Sequence, residues 1–477
     1  MPDQSLATRA VRGAVWTGGG LAIQMAVSLV FFKLLPLSAM GQFDFALRVV
    51  MLTALVGALG MNEALVQLRE AEESHFSTAF WVCLILGSVV AVLIVFAAPV
   101  IGKLSDDPKA FQAVLLPLIL FIPFASVSGI FRARLARALR FRAVAFADLV
   151  AAIIGAGVGL TCLVWDYGIW SAVWNAVSRE ALLMLSLWWI SDWRPKFVFR
   201  WASLRQLLRF GLNVTGANAM NYFANNLDKL IVFPILGDRA QGLYSFAYRF
   251  TMMPLSRAAQ VLAKVSFPTF SRVQDDDAAL RRAYLRTVSM IALGAWPVLA
   301  GGFIFAPEFL LLVKGQAMME GLMPLRLLIF AGMLKAVGTV VGSIFLAKGK
   351  AHWSFRWSLV SLFVFLFSLL YGVQHGLSGV ASVISLVSFF ALFVTQILVN
   401  RLIALPLVDY FKALIRPGII AGSVAGLLWV VKPMILFEPL MTLVLGSLMG
   451  GLFCMMGVRF LAWSLVMRFW RDFRGQS

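Results

Sequence analysis

Between Asn213 and Arg272 two neighbouring segments carry more charged and amide side chains than a lipid-facing helix tolerates. At about 100° per residue, Asn218, Asn221, Tyr222, Asn225, Asn226, Asp228 and Lys229 share one helix face of roughly 160°. In the second segment Ser245, Arg249, Ser256, Arg257, Gln260 and Lys264 gather on one side, with Phe250, Leu255 and Leu262 elsewhere around it. A charge at membrane depth is costly unless it faces water or a partner, so these faces mark a candidate substrate path. The excess of cations over acids on them points to an anionic cargo. Three embedded acids, Asp148, Glu180 and Asp228, are the candidates for coupling to a proton or sodium ion. Arg179, next to Glu180, and Lys335 are weaker binding candidates. Some of these groups admit a purely structural reading: Arg48 sits four residues after Asp44, and Lys229 next to Asp228, at ion-pair spacing.

The elements that must position them are membrane helices. The chain has 477 residues, 61% hydrophobic and 13% charged, a composition far from that of a soluble domain. Apolar stretches of about 20 residues recur along it, the length of a helix that crosses the hydrocarbon core. A barrel would need alternating strands of about 10 residues, which are missing from the pattern. The expected class is all-α and polytopic, with about fourteen spans: 13–33, 41–62, 77–100, 111–131, 143–164, 170–190, 211–233, 242–265, 287–312, 321–346, 355–374, 379–400, 417–432 and 439–460. A net charge of +19 suggests nucleic acid in a soluble chain, but here it sorts by side of the membrane. The links after even-numbered spans hold most of the arginines, such as Arg132 to Arg142 and Arg194 to Arg209. The opposite links hold only Lys33, Lys103, Lys109, Arg239, Lys314 and Lys432. That asymmetry places both termini in the cytoplasm and gives no reason to expect nucleic acid. Cys83, Cys162 and Cys454 sit inside apolar spans and read as buried thiols, and the three histidines form no metal-ligand cluster. The longest inward link, 191–210, contains the amphipathic piece WASLRQLLRF, expected to lie along the membrane surface.

That link also divides two similar halves. Gly41-Gln42-Phe43-Asp44-Phe45-Ala46-Leu47-Arg48 is echoed by Gly242-Leu243-Tyr244-Ser245-Phe246-Ala247-Tyr248-Arg249. Leu135-Ala136-Arg137 before Phe141-Arg142 is echoed by Leu346-Ala347-Lys348 before Phe355-Arg356, and Gly168-Ile169 by Gly376-Leu377. Three echoes in one order argue for duplication. Because each half has an even number of spans, the copies share one orientation and are related by a pseudo-two-fold along the membrane normal. The expected divisions are an N-lobe at 1–205, a C-lobe at 206–404 and two further helices at 405–477.

Asp228-Lys229-Leu230-Ile231, Gly237, Gly242-Leu243-Tyr244, Arg249, Pro254 and Phe267-Pro268-Thr269-Phe270-Ser271 resemble the signature region of the polysaccharide transporter family. This family includes the Wzx-type lipid-linked oligosaccharide flippases of the multidrug/oligosaccharidyl-lipid/polysaccharide superfamily. Gly13-Ala14-Val15-Trp16 through Gly41 to Gly60-Met61-Asn62-Glu63-Ala64-Leu65-Val66 is similar to the family's opening helices. The resemblance implies two six-helix lobes around a central cavity, plus two C-terminal helices. It also implies a polyprenyl-diphosphate-linked oligosaccharide as cargo, moved between leaflets of the bacterial inner membrane by alternating access. Membrane lipids, a polysaccharide polymerase and export machinery are the expected partners. For that cargo Arg48 and Arg249, with Arg257 and Lys264, are candidates for the diphosphate, since the guanidinium fork matches phosphate oxygens. Asn218, Asn221, Tyr222 and Asn225 are candidates for the sugar, and Lys229 adds a further cation.

A drug or cation antiporter of the same superfamily is a second reading; it would be expected to offer carboxylates, and the first span has none between Gly13 and Phe32. A lipid-linked peptidoglycan precursor flippase carries the same charge logic. An enzyme acting on the same glycolipid would be expected to hold catalytic groups on a sizeable outward loop, whereas the outward links are short and no nucleophile-base pair is discernible, so the chain is expected not to be an enzyme.

Overall fold

The computed structural model describes residues 3–434, 438–463, 465 and 467, with side chains from residue 19 onward except 253–254, 256–265, 267–269 and 351. Among the described residues there are fourteen long helices and no strands. They are α1 (Asp3–Leu34), α2 (Leu37–Ala58), α3 (Glu73–Gly102), α4 (Pro108–Arg137), α5 (Phe141–Val164), α6 (Trp170–Ile190), α7 (201–236) and α8 (238–272). Then follow α9 (Asp277–Ile304), α10 (Leu322–Gly338, continued by Val341–Ala347), α11 (Ala351–Gly372), α12 (Gly376–Ile403), α13 (Leu407–Val431) and α14 (Pro439–Gly457). Helices α2 to α5 and α9 to α14 fall in stretches long and apolar enough to cross a bilayer. Helices α6 and α7 fall short of that measure, and they carry several of the polar candidates. The protein is a multi-pass membrane protein.

Local chemistry sets the ends of these helices. Pro108 opens α4 behind an Asp107 cap whose carboxylate accepts from the Lys109 and Ala110 amides, both at 3.1 Å. Asp276 caps α9 in the same way, at 2.8 and 2.9 Å from the Ala278 and Ala279 amides. Between α7 and α8 the chain turns on one residue, Gly237, at φ 83° and ψ 178°. A side chain there would collide with the Asp106 carboxylate, which accepts the Asp238 amide at 2.9 Å.

Two compact units divide the chain, Met1–Gly242 and Leu243–Ser477. Residues 206–242 thus pack with the first unit, although the sequence division grouped them with the second half. In the first unit α5 packs along α6 and α1, and α4 meets α2, α3 and α6. Its core includes Phe76, Phe131, Leu183, Leu187 and Trp193, to which α7 adds Leu204 and Leu207. The amphipathic piece 201–210 is therefore the first part of α7, with its leucines in the core and Trp201 exposed. The second unit is built on α9, which packs against α10 and α13. Tyr284, Val288, Phe345 and Tyr410 are all buried in its core, so the C-terminal helices belong to the body of that unit.

Helix lengths differ from expectation where charged turns extend an apolar span. Helix α9 starts ten residues before its apolar part because Arg281, Arg282 and Arg286 lie in its first turns, and α13 begins at Leu407 for the same reason, with Asp409, Lys412 and Arg416 ahead of Pro417.

Each sequence echo has a structural counterpart. At the end of α4 the Arg140 amide donates to Leu135, with Leu139 at φ 55°; at the end of α10 the Lys350 amide donates to Phe345, with Gly349 at φ 67°. These are the same helix stop. Arg137 then ties its guanidinium to the carbonyls of Leu65, Val66, Leu68 and Arg69, beyond α2. Lys348 binds the Gln274 carbonyl and Asp277, beyond α8. Gly168 and Gly376 both have positive φ, at 56° and 70°. Phe45 packs on Phe111 in the first unit as Phe246 packs on Phe309 in the second, with ring centroids 5.9 and 5.4 Å apart. The halves are copies of one structural plan.

Candidate functional site

Helix α2 meets the α7–α8 corner at its two echo glycines. A Cβ on Gly41 would run into the Asp238 carbonyl, and one on Gly242 into the Leu37 carbonyl. Adding 201 to 41 and 37 gives 242 and 238, so the two contacts, both within the first unit, join equivalent repeat positions. Only hydrogen-sized side chains allow backbones this close.

On either side of the crossing lies a polar network. Arg48 holds Asp44 through two nitrogens, at 2.8 and 3.1 Å, and donates to Asn226 Oδ1 at 2.6 Å. Gln241 donates to the same Asp44 carboxylate at 3.1 Å, and Tyr222 donates its hydroxyl proton to the Arg48 carbonyl at 2.7 Å. Asn226 in turn donates to the Tyr222 carbonyl at 2.9 Å. The Asp44 side chain is 3% exposed and that of Arg48 18%. The structural pairing of Arg48 with Asp44 is therefore real, and a limited part of the guanidinium still reaches the surface of the unit.

Beyond the glycines, Asp238 is buried and accepts from Gln42 at 2.6 Å, Ser105 at 2.8 and 3.0 Å, and the Asp106 amide at 3.3 Å. These neutral donors tie α2, the α3–α4 link and the start of α8 together. The sequence reading missed this cluster. Its only local sign is that a glutamine flanks each echo glycine, as Gly41-Gln42 and Gln241-Gly242.

The remaining candidates separate clearly. Lys229 and Asp228 are paired at 3.0 Å with side chains 1% and 6% exposed, and Lys229 also donates to the Asn225 carbonyl at 3.1 Å. Its ammonium is enclosed by protein and is not presented on the polar face. Asn221 and Asn225 are exposed, Asn225 donating to the Asn221 carbonyl at 2.7 Å. Asn218 lies 3.4 Å from Glu63 Oε1. Arg249, on α8, is half-buried and engaged with neighbours. The side chains of Arg257 and Lys264 lie outside the described residues.

A second embedded cluster joins α1, α4, α5 and α6. Asp148 is held by both terminal nitrogens of Arg132, at 2.6 and 3.1 Å. Arg179 reaches the Gln24 amide oxygen at 2.8 and 3.1 Å once that amide is turned to face it. Glu180 is buried and accepts from the Ser128 hydroxyl at 3.2 Å. Among the described residues no cation stands within ion-pair distance of its carboxylate. The two neighbours on α6 thus diverge, Glu180 toward α4 and Arg179 toward α1.

This fold, with its duplicated helical plan and ion pairs on apolar helices, is that of a polytopic helical membrane protein. The chain belongs to a family described as "Polysaccharide biosynthesis protein", which matches residues 30–320. It is 26% identical to the lipopolysaccharide biosynthesis protein WzxC of Escherichia coli (strain K12), over 78% of this chain and 76% of the relative. It is 25% identical to the teichuronic acid biosynthesis protein TuaB of Bacillus subtilis (strain 168), over 88% of each. Among solved structures the fold is similar to the lipid II flippase MurJ in an inward closed conformation, with a TM-score of 0.74, 13% identity and coverage of 96% of this chain and all of that one. It also resembles an inward-facing MATE-family multidrug transporter of the MOP superfamily, with a TM-score of 0.60, 17% identity and coverage of 80% and 95%.

Proposed function

We propose that this protein carries a polyprenyl-diphosphate-linked oligosaccharide from the cytoplasmic to the outer leaflet of a bacterial inner membrane, by alternating access, for surface polysaccharide biosynthesis. The observation that carries the reading is family membership together with a pair of arginines at equivalent repeat positions, Arg48 and Arg249, on membrane helices. Relatives named for lipopolysaccharide and teichuronic acid assembly make different glycans. What such precursors can share is a lipid-phosphate end, and fixed guanidinium groups suit it. Arg48 is pre-oriented by Asp44 and Asn226. Arg249 has Ser245 where Arg48 has Asp44, so the repeat changes a carboxylate into a hydroxyl beside its second arginine. The exposed amides of Asn221 and Asn225 supply sugar-type hydrogen bonding on the same face of α7. No step in this reading forms or breaks a covalent bond.

Ion coupling falls to Glu180 in this proposal, with the proton as the ion. Asp148 and Asp228 are each neutralised by a bonded cation, whereas the Glu180 carboxyl meets a hydroxyl, which hydrogen-bonds to either protonation state. Deleting the gene and measuring lipid-linked sugars by leaflet tests the main reading. One glycan intermediate should accumulate on the cytoplasmic leaflet and reappear outside on complementation. Unchanged leaflet distribution would remove the reading.

A further inference from the structure

Within the first unit, α3, α4 and α6 leave a cavity of about 270 Å³ lined by Phe80, Leu84, Phe124, Phe131, Met184 and Trp188, with Pro123, Val127 and Pro195 completing it. Every lining side chain is apolar. Along α4 the cleft runs from Pro123 to Phe131, about 12 Å of helix and most of the depth of one ~15 Å leaflet. One end lies at the 191–200 link, where Trp81 donates to the Lys196 carbonyl at 2.9 Å and stacks on Phe197 with centroids 4.7 Å apart. Such rings mark the membrane–water boundary.

Three cations at that end have carboxylate partners. Asp192 pairs with Arg140 at 2.7 Å, Glu73 with Lys196 at 2.6 Å, and Glu72 with Arg200 at 3.5 Å. Arg194 has no carboxylate partner among the described residues. Its guanidinium lies over the Trp188 ring at 5.6 Å, and one of its nitrogens donates to the Ser191 and Trp193 carbonyls. The remaining donors are left at the mouth of an apolar slot.

From this pairing we infer that the cleft is a binding site for an anionic phospholipid, with one acyl chain between α3, α4 and α6 and its phosphate on Arg194. The chain replaces lipid that packs poorly against the concave wall, and the phosphate meets a guanidinium that stacking on Trp188 has already oriented. The site lies within the first unit and stands apart from the polar networks of α2 and α7, so it does not depend on the cargo proposed above.

The test uses the full-length protein reconstituted in phosphatidylcholine and titrated with phosphatidylglycerol carrying brominated chains, with Trp188 emission taken as the difference from Trp188→Phe. Saturable quenching is expected, with half-saturation at about a fivefold lower mole fraction than for brominated phosphatidylcholine. Arg194→Ala should abolish that preference, and Leu84→Trp, which fills the slot, should abolish saturation; each is scored only after matching the parent in thermal unfolding. Because Arg194 is exposed, its variant remains informative should Leu84→Trp fold poorly. Quenching that rises linearly with both lipids and ignores Arg194→Ala would overturn the inference. So would displacement of the probe by polyprenyl phosphate but not by unlabelled phosphatidylglycerol, since the occupant would then be the isoprenoid lipid.

Discussion

At the level of single residues, pairing separates groups that look alike as sequence. Lys229 and Asp228 are paired and almost fully buried, so removing the carboxylate takes the paired counter-charge from a buried ammonium. Asp228→Asn should therefore lower stability by about 3–5 kcal/mol, and replacing both residues with apolar ones of similar volume should recover most of it. Unfolding in detergent is the measurement. Export that persists in the double variant would place Lys229 outside cargo binding, whereas its loss in a stably folded double variant would return Lys229 to the binding face. Glu180→Gln is nearly isosteric and keeps a partner for Ser128. It should leave abundance and unfolding unchanged while making glycan translocation in vesicles indifferent to an imposed proton gradient. A variant that still follows the gradient as the parent does would exclude Glu180. Arg249→Ala should abolish export at normal membrane abundance, and normal surface polysaccharide in that variant would take Arg249 out of the mechanism.

At the level of elements, the crossing of α2 with the α7–α8 corner concentrates the constraints. Gly41→Ala sets a methyl group against the Asp238 carbonyl; the backbones must separate, and overpacking of this kind costs about 1–3 kcal/mol. A shift in unfolding temperature comparable to that of a surface Gly→Ala control would contradict the close approach. The Asp276 cap gives a pH signature outside the membrane. Amide donors from Ala279 and Ala278 hold its carboxyl below the ordinary value of 3.8. A group depressed in the folded state stabilises it above the unfolded value, and that contribution fades as pH falls through the lower folded value. Asp276→Asn should therefore flatten the acid end of the stability profile, and an identical profile would show that the cap contributes nothing there.

Elements are also where the sequence was most and least legible. Apolar length marked the spans because backbone groups in lipid must be satisfied within a helix. The echoes were readable because equal spacing survives duplication, and the structure gives each one a matching turn or contact. Asp238 with Gln42 and Ser105 was hidden, since these partners lie 196 and 133 residues apart and a helix face predicts only neighbours on its own turn. The pairing of Lys229 with Asp228 was legible from their adjacency, but its burial was not: helical periodicity placed Lys229 on the polar face, while packing against other helices decided which part of that face is exposed. The starts of α9 and α13 were misplaced because hydropathy locates the bilayer core and ignores turns that continue past it.

For the whole molecule, a duplicated helical plan carries Arg48 and Arg249 at equivalent repeat positions, with amides on α7 and the buried acid Glu180, in a membrane protein of the polysaccharide biosynthesis family. The fold alone is shared by transporters of different cargo, so cargo must be decided by chemistry at the site. The most direct measurement is reconstitution of the purified chain in vesicles carrying a polyprenyl-diphosphate-linked oligosaccharide, with leaflet position read by an added glycan-cleaving enzyme. The account predicts protein-dependent exposure of the glycan on the opposite leaflet, lost in Arg249→Ala. Equal exposure with and without the protein, under conditions where it is folded, would contradict it.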